Sequence, residues 1–559
     1  MPTINGAEII IGLLERHGIT IIAGIPGGSN LPLYDALSRS EMIHHVLARH
    51  EQGAGFMAQG MARSTGKAAV CFATSGPGAT NILTAIADAK LDSIPVICIT
   101  GQVPSAMIGT DAFQEVDTYG MTIPITKHNY LVRSAAELLT VIPEAFRIAT
   151  SGRPGPVVID VPKDVQLQEV TFEQWPEVLP SVPLRSEVSG LQRVADLINQ
   201  AKRPILYLGG GVIHSGGSDV ARSLAEKSSI PVTMTLMGLG SVRADHSLAL
   251  GMLGMHAARY TNLALEECDL LIAVGARFDD RATGRLAEFC PEAGIVHIDI
   301  DPSEIDKLKI ALVGLVGDVL DILTELLPLI DPQPRTEWLA RIKTLKKMHP
   351  MVIPGADDIL RPYGLIGEVS RLVGERAIIA TDVGKHQMWV AQAYPFARPR
   401  QLLTSGGLGT MGFGLPAAIG AALACPDETV VCFSGDGSLM MNLQELATAM
   451  EQAVNLKVIV LNNTSLGLVR QQQDLFFGKR YFASEYSHQV DFITIARGFG
   501  LKTFDLGAAE DPAGELARAL AEPGPCLIHL PIARDEDVYP MVAPGGANRE
   551  MIGGEYHGE

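Results

Sequence analysis

From residue 4 to beyond residue 530 the sequence keeps one rhythm, in which short β-branched and apolar runs alternate with longer alanine-rich segments of helical pattern. Strands that each hand over to a helix build parallel sheets covered on both faces, so the alternation predicts an α/β protein made of doubly wound parallel sheets. Two proline-rich, mixed-charge stretches interrupt it, 173–190 and 331–362, and they read as connectors. They divide the chain into a first domain at 1–170, a central domain at 185–335, a third domain at 360–540 and a short tail at 541–559. A single core is excluded in any case, because 559 residues exceed what one hydrophobic core organises.

Hydrophobic residues make up 47% and charged residues 19%, a balance that suits large buried cores and not a disordered chain. The net charge of −18 excludes a broad basic face for nucleic acid or anionic lipid, and leaves small anions to local sites. No run approaches the ~20 apolar residues of a membrane span. The opening MPTINGAEIIIGLLERHG has no basic leader and reads as a capped amphipathic helix. Seven cysteines without a CxxC pair sit in strand-like runs such as AVCFAT, VICIT and VVCF, where they read as reduced core residues. A soluble, cytoplasmic protein is expected.

The outer domains share a pattern. VCFATSGPGATNILTAIADAKLDSIPVICITG (70–101) and VCFSGDGSLMMNLQELATAMEQAVNLKVIVLNN (431–463) each run strand, glycine turn, helix, strand. An internal duplication accounts for this, and so does the commonness of βαβ units. In open parallel sheets ligands bind at the carboxyl ends of strands, where glycine turns admit close approach and helix N-termini face anions. Asp436 stands at such an end between Gly435 and Gly437, and the next strand, LKVIVLNN, ends in Asn462 and Asn463. A carboxylate and an amide oxygen on one rim suit a hard cation such as Mg2+, which completes its octahedron with phosphate oxygens and water. Taken alone, Asp436 also reads as a helix cap and the asparagine pair as a turn. The whole spacing, GDG, a βαβ-length gap and NN, resembles the thiamine diphosphate motif. The resemblance implies that Asp436 and Asn463 hold the metal by side chains and Ser465 by its carbonyl, with Gly435, Gly437, Ser438 and Gly467 around the diphosphate.

A thiamine enzyme also needs an acid against the aminopyrimidine ring to assist removal of the thiazolium C2 proton. Glu51, in ARHEQGAGFMAQGMAR, is the candidate. The small, apolar residues that follow it imply a buried helix, and a carboxyl buried there is placed for proton transfer; by itself such a glutamate also reads as an ordinary first-turn residue. In the family the glutamate comes from the N-terminal domain and the metal site from the C-terminal one, with the cofactor bridging two subunits. That implies a homodimer or larger. Met411, in GGLGTMGFGLPAAIG, matches the residue that props the cofactor into its bent form, and alone it also reads as a core methionine.

GIPGGSNLPLYDAL, SGPGATN, DAFQEVD, SGRPGPVVIDVPKDV, GMLGMHA, GARFDDR and the GDG–NN block follow one another in fixed order. On them the chain is identified as a member of the acetohydroxyacid synthase (acetolactate synthase) catalytic-subunit family, and is most similar to the bacterial isozyme I type. The resemblance implies decarboxylation of pyruvate and ligation of its two-carbon unit to a second 2-ketoacid, pyruvate or 2-ketobutyrate, in branched-chain amino acid biosynthesis. It assigns Arg277 to the second ketoacid's carboxylate, a task suited to the guanidinium fork. Phe113, Gln114 and Lys163 fall near the reacting carbons, and Gly27 with Gly28 beside the thiazolium. The central RPILYLGGGVIHSGG is a strand followed by a glycine run that is not GxGxxG. The resemblance makes it an FAD site, with Arg153, Gly209, Gly210, Gly211, Thr235, Leu253, Gly254, Met255, His256, Arg277, Arg281, Asp299, Ile300 and Asp318 as its residues. It implies a small regulatory subunit as partner, and a tail, glycine-rich and mobile by its own sequence, that folds over the active site. One position departs from the pattern. Gln472 stands where many members carry a tryptophan that favours 2-ketobutyrate, which predicts little preference between the two acceptors. A pyruvate oxidase or a glyoxylate carboligase is the alternative within this chemistry; the second lacks the glutamate that is present here as Glu51. A non-catalytic scaffold is the alternative outside it, and intact Glu51, Asp436, Asn463 and Arg277 argue against that.

Overall fold

A computed structural model describes residues 3–178 and 189–554. Three six-stranded sheets, each parallel throughout, make up its frame. The first contains β1 (Ile21–Gly24), β2 (His44–Leu47), β3 (Ala69–Ala73), β4 (Val96–Gln102), β5 (His128–Leu131) and β6 (Val157–Pro162), in the order β2-β1-β3-β4-β6-β5. The central sheet contains β7 (Pro204–Leu208), β8 (Val232–Met234), β9 (Ala249–Met252), β10 (Leu270–Val274), β11 (Gly294–Asp299) and β12 (Val313–Val316), in the order β9-β8-β7-β10-β11-β12. The third contains β13 (Ile378–Thr381), β14 (Leu402–Leu403), β15 (Val430–Gly435), β16 (Leu456–Asn462), β17 (Lys502–Asp505) and β18 (Cys526–Pro531), in the order β14-β13-β15-β16-β18-β17. The first and third sheets therefore have the same topology, whereas the central order is that of a dinucleotide-binding fold with its switch point between β7 and β10.

Central strands are buried on both faces, as parallel sheets require: β3, β4, β6 and β7 consist of buried residues end to end. Asn5 caps the first helix in a reciprocal capping box with Glu8, as the opening segment leads one to expect. The first and third domains meet through two helices, α1 (Glu51–Thr65) and α2 (Gly414–Ala424), whose axes come together because glycine removes side chains at the contact. A Cβ on Gly60 would stand 1.9 Å from the Ala417 carbonyl oxygen, and one on Gly420 would stand 2.0 Å from that of Met57.

Two expectations need correction. The 331–362 stretch is no simple connector, since it forms the helix Thr336–Met348, whose buried Trp338 donates its indole N–H to Pro204 O at 3.0 Å. Part of the 173–190 stretch, 179–188, lies outside the described residues, as does the end of the tail, 555–559. The rest of the tail is held in place. Met541–Val542 pairs with Met551–Ile552, Asn548 donates to Ala282 O at 2.9 Å, and Val542, Ala547, Asn548 and Met551 are buried. The seven cysteines are free thiols, all buried except the half-buried Cys425. No helix among the described residues is long and apolar enough to cross a membrane.

Candidate active site

Pairing of β15 with β16 sets Gly435 beside Leu461, so the residues after both strands emerge on one rim. Asp436, 5% exposed, opens the short helix Asp436–Leu439 there. Burial pushes its carboxyl up to about 6, while the backbone N–H groups of Gly437, Ser465 and Asn463 pull it the other way. Asn463 Oδ1 accepts the Ser465 N–H at 3.1 Å, whereas Asn462 turns toward the next strand, its amide 3.1 Å from His529 Nε2. Among the described residues no three His, Cys, Asp or Glu side chains gather as a metal cluster. The clamp on offer is one carboxylate, one amide and backbone carbonyls, a set suited to Mg2+ with phosphate as co-ligand. Ser438 Oγ accepts the Gly435 N–H at 3.2 Å and closes the turn. Glycines keep the packing close here: a Cβ at 437 would lie 2.6 Å from the Tyr486 hydroxyl and one at 467 would lie 2.8 Å from Asn463 Nδ2, so either would push those side chains aside.

His386 went unnoticed in the sequence. It lies beside this turn, with Nδ1 3.1 Å from where a Cβ on Gly435 would be, and its Nε2 is buried without a partner. Burial holds the imidazole down at about 3, so it is neutral and carries one N–H. Ser465 Oγ is likewise buried without a partner. Two unpartnered buried polar groups at the clamp fit a cradle for diphosphate oxygens. Asp382, fully buried and raised to about 6 by burial, accepts the N–H groups of Val383 at 2.9 Å and Gly412 at 2.8 Å and so braces the Met411 loop against β13. The available signal was positional: TDVGKHQ follows a strand that ends on the same rim as β15.

Glu51 is the first residue of α1 and 9% exposed. Its Oε2 accepts from Asn81 Nδ2 at 3.0 Å, and its Oε1 lies 3.4 Å from where a Cβ on Gly78 would stand. α1 is buried from Gly53 to Arg63, as the small-residue run implies. Gly27 is wedged against Thr74, whose hydroxyl would stand 2.5 Å from a Cβ there, but Gly28 faces open space. Gln114, at φ +61°, presses its backbone against Gly76. Lys163 begins the short helix after β6. Phe113 is 87% exposed. Met411 is half-buried before α2. Glu51 thus keeps company with its own domain and Asp436 with the third, and among the described residues no hydrogen bond or ion pair joins Glu51 to Asp436, Asn463 or Ser465.

A cavity of about 880 Å3 opens at the switch point of the central sheet. Arg153, Gly209, Gly210, Gly211, Thr235, Leu253, Met255, His256, Arg277, Arg281, Asp299, Ile300 and Asp318 line it. Gly254 does not. At φ +95° it shapes the wall instead, since a Cβ there would lie 2.2 Å from Arg281 O. The Gly209–Gly211 turn lies flat on the 275–276 backbone, with Cβ positions of Gly209 and Gly211 at 2.1 and 2.7 Å from Gly275. Only glycine fits at 209 and 211, and the helix that the turn opens faces the cavity, an arrangement suited to a dinucleotide's phosphates. Asp318 caps the helix Val319–Leu326, and burial raises the Asp299 carboxyl to about 6 and lowers His256 to about 4. Val383, Leu468 and Gln472 from the third domain and Met541 from the tail line the same cavity, so Arg277 and Gln472 share one space.

Three family models match the chain: the thiamine pyrophosphate enzyme N-terminal TPP binding domain over 4–121, the central domain over 191–326 and the C-terminal TPP binding domain over 382–530. The acetolactate synthase isozyme 1 large subunit of Escherichia coli (strain K12) is 60% identical over 98% of this chain and 98% of its own length. The isozyme 2 large subunit of the same organism is 45% identical over 98% of this chain and 99% of its own. The acetolactate synthase large subunit of Parasynechococcus marenigrum (strain WH8102) is 47% identical over 100% of this chain and 92% of its own.

Proposed function

The chain belongs to the thiamine pyrophosphate enzymes and, within them, to the family of acetolactate synthase large subunits, and from that premise we propose how its residues divide the work. It is a thiamine diphosphate-dependent enzyme of branched-chain amino acid biosynthesis that makes acetolactate from pyruvate. Bound thiamine supplies the electron sink that lets a 2-ketoacid lose CO2 and pass on its remaining two carbons. Asp436 and Asn463, with the Ser465 carbonyl, would hold Mg2+; neutral His386 would donate to the diphosphate; Met411 would prop the cofactor. Glu51 would hold and return a proton at the aminopyrimidine. Arg277 receives the carboxylate of the second ketoacid inside the cavity, where Gln472, shorter and polar, leaves room without favouring an extra methyl. Gly209 to Gly211 with Arg153, Asp299 and Asp318 would hold FAD.

We infer a homodimer at least, because Glu51 starts a helix of the first domain and Asp436 one of the third, no hydrogen bond joins them among the described residues, and Phe113 stands exposed. The large-subunit names of the relatives support a small regulatory partner chain. The observation that carries the site assignment is the convergence of Asp436, Asn463 and Ser465 beside the unpartnered His386. The test is to assay the purified chain with pyruvate, Mg2+, thiamine diphosphate and FAD, with and without 2-ketobutyrate. Acetolactate formation without oxygen uptake, lost on chelation of the metal, is expected; CO2 release that requires an electron acceptor would point to a pyruvate oxidase instead.

A further inference from the structure

Glu445 opens the helix Glu445–Glu451 in the third domain, one turn beyond the segment that carries Asp436. It is 0% exposed, and burial raises its carboxyl above the usual range. A buried carboxylate needs partners to offset its lost hydration, and this one finds them in the other domain. Its Oε1 accepts the backbone N–H of Arg49 at 3.0 Å and that of His50 at 3.0 Å, while its Oε2 accepts the Thr448 hydroxyl at 2.7 Å. Arg49 and His50 are the two residues immediately before Glu51. Their N–H groups lie ahead of α1, where the helix itself offers no acceptor. The close approach depends on a glycine, since a Cβ on Gly53 would stand 2.5 Å from Glu445 Oε1. From the same turn Asn442 Nδ2 reaches Gln52 Oε1 at 3.2 Å and Gly412 O at 2.7 Å. The chain is therefore gripped on both sides of Glu51 by the domain that carries the metal clamp.

We propose that Glu445 is a positioning residue for Glu51: its carboxylate fixes the backbone from which the proton-donating side chain hangs, and it does so from the metal-binding half of the same chain. The inference rests on the reading of Glu51 as the acid at the aminopyrimidine. Proton transfer is sensitive to sub-ångström placement, so release of Arg49 and His50 should cost rate while leaving the cofactor's binding groups intact.

The test uses the holoenzyme with Mg2+, thiamine diphosphate and FAD. Exchange of the bound thiamine's C2 proton is followed by rapid quench in deuterated buffer, together with cofactor affinity and amide exchange over residues 48–53. Glu445→Ala is expected to slow C2-proton exchange by about tenfold or more and to speed amide exchange at Arg49 and His50, with cofactor affinity little changed. Glu445→Gln keeps the Oε1 acceptor and is expected to recover most of the rate. Should Glu445→Ala not fold, Glu445→Asp, which draws the acceptor back by one methylene, is expected to give a smaller loss of the same kind. Wild-type C2 exchange in Glu445→Ala or Glu445→Asp, alongside a slow Glu51→Gln, would overturn the positioning role and leave Glu51 in place. An undiminished rate in Glu51→Gln would remove both.

Discussion

The first and third sheets are the same scaffold put to different uses. Both have strand order 2-1-3-4-6-5 when numbered within their own domain. When Cys71–Phe72 is laid on Cys432–Phe433, Ser75 falls where Asp436 stands. Ser75 is fully buried and spends its hydroxyl on Ser29 Oγ at 2.7 Å, whereas Asp436 faces Asn463 and Ser465 across the rim. Between strands two and three the first domain places Glu51 at the start of α1, and the third places Met411 just before α2. These two helices are the ones that pack together through Gly60 and Gly420. On the proposed assignment, one half supplies a proton donor and no cation rim, and the other a cation rim with a methionine in place of the acid. Neither is sufficient, and the comparison teaches that the shared topology supplies strand ends and helix starts while single residues decide which chemistry each end performs.

The sharpest way to break the comparison is to exchange its key residue for alanine on each side. Asp436→Ala is expected to abolish metal-dependent cofactor binding and to lower kcat/KM by about a thousandfold or more, measured by titrating Mg2+ and thiamine diphosphate; Ser75→Ala, at the matching position, should leave cofactor affinity within the usual range of a small-residue change. Next comes Glu51→Gln, for which a kcat loss of about 10²–10⁴-fold is expected with cofactor binding retained.

A pH series sharpens the contrast further. With the metal absent the Asp436 carboxyl lies at about 6, above its unfolded value near 3.9. Below the unfolded value it costs the fold nothing, and the metal-free protein loses that stability as pH rises through about 6, where a buried charge must form. Mg2+ needs the charged form, so its affinity should fall by about tenfold per unit of pH below 6, measured calorimetrically; an affinity flat from pH 5 to 7 would exclude Asp436 as a ligand. The smallest effect is expected at the cavity wall. Gln472→Trp should raise the use of 2-ketobutyrate relative to pyruvate by about tenfold, read from the ratio of the two products in a competition assay.

Much of this was legible in the sequence because it is local. Strand–helix alternation set the sheets, and GDG with NN marked a rim because adjacent parallel strands end together. Other parts depend on partners distant in the chain. His386 looks like an ordinary residue in an early helix turn until β13 is placed beside β15 and its Nε2 is found without a partner. The prolines around 331–362 suggest a connector, yet Trp338 gives the helix between them an apolar anchor. Glycines in the tail suggest mobility, but Asn548 docks it at the Ala282 carbonyl of the central domain and Met551 packs against Ala257, contacts that no sequence pattern reveals. Gly254 illustrates the same limit: it sits within a run of cavity-lining residues, and only its close approach to Arg281 O shows that it bends the wall without forming it.

The central claim, that Glu51 of one copy and Asp436 of another serve the same cofactor, is tested most directly by mixing two inactive variants. Glu51→Gln and Asp436→Ala chains are combined, dissociated and reassembled, and acetolactate formation is measured. If the site is shared, each mixed dimer regains one intact site, and an equimolar mixture should recover about a quarter of wild-type activity. Activity no higher than that of the two parents, in a sample shown to contain mixed dimers, would contradict the account.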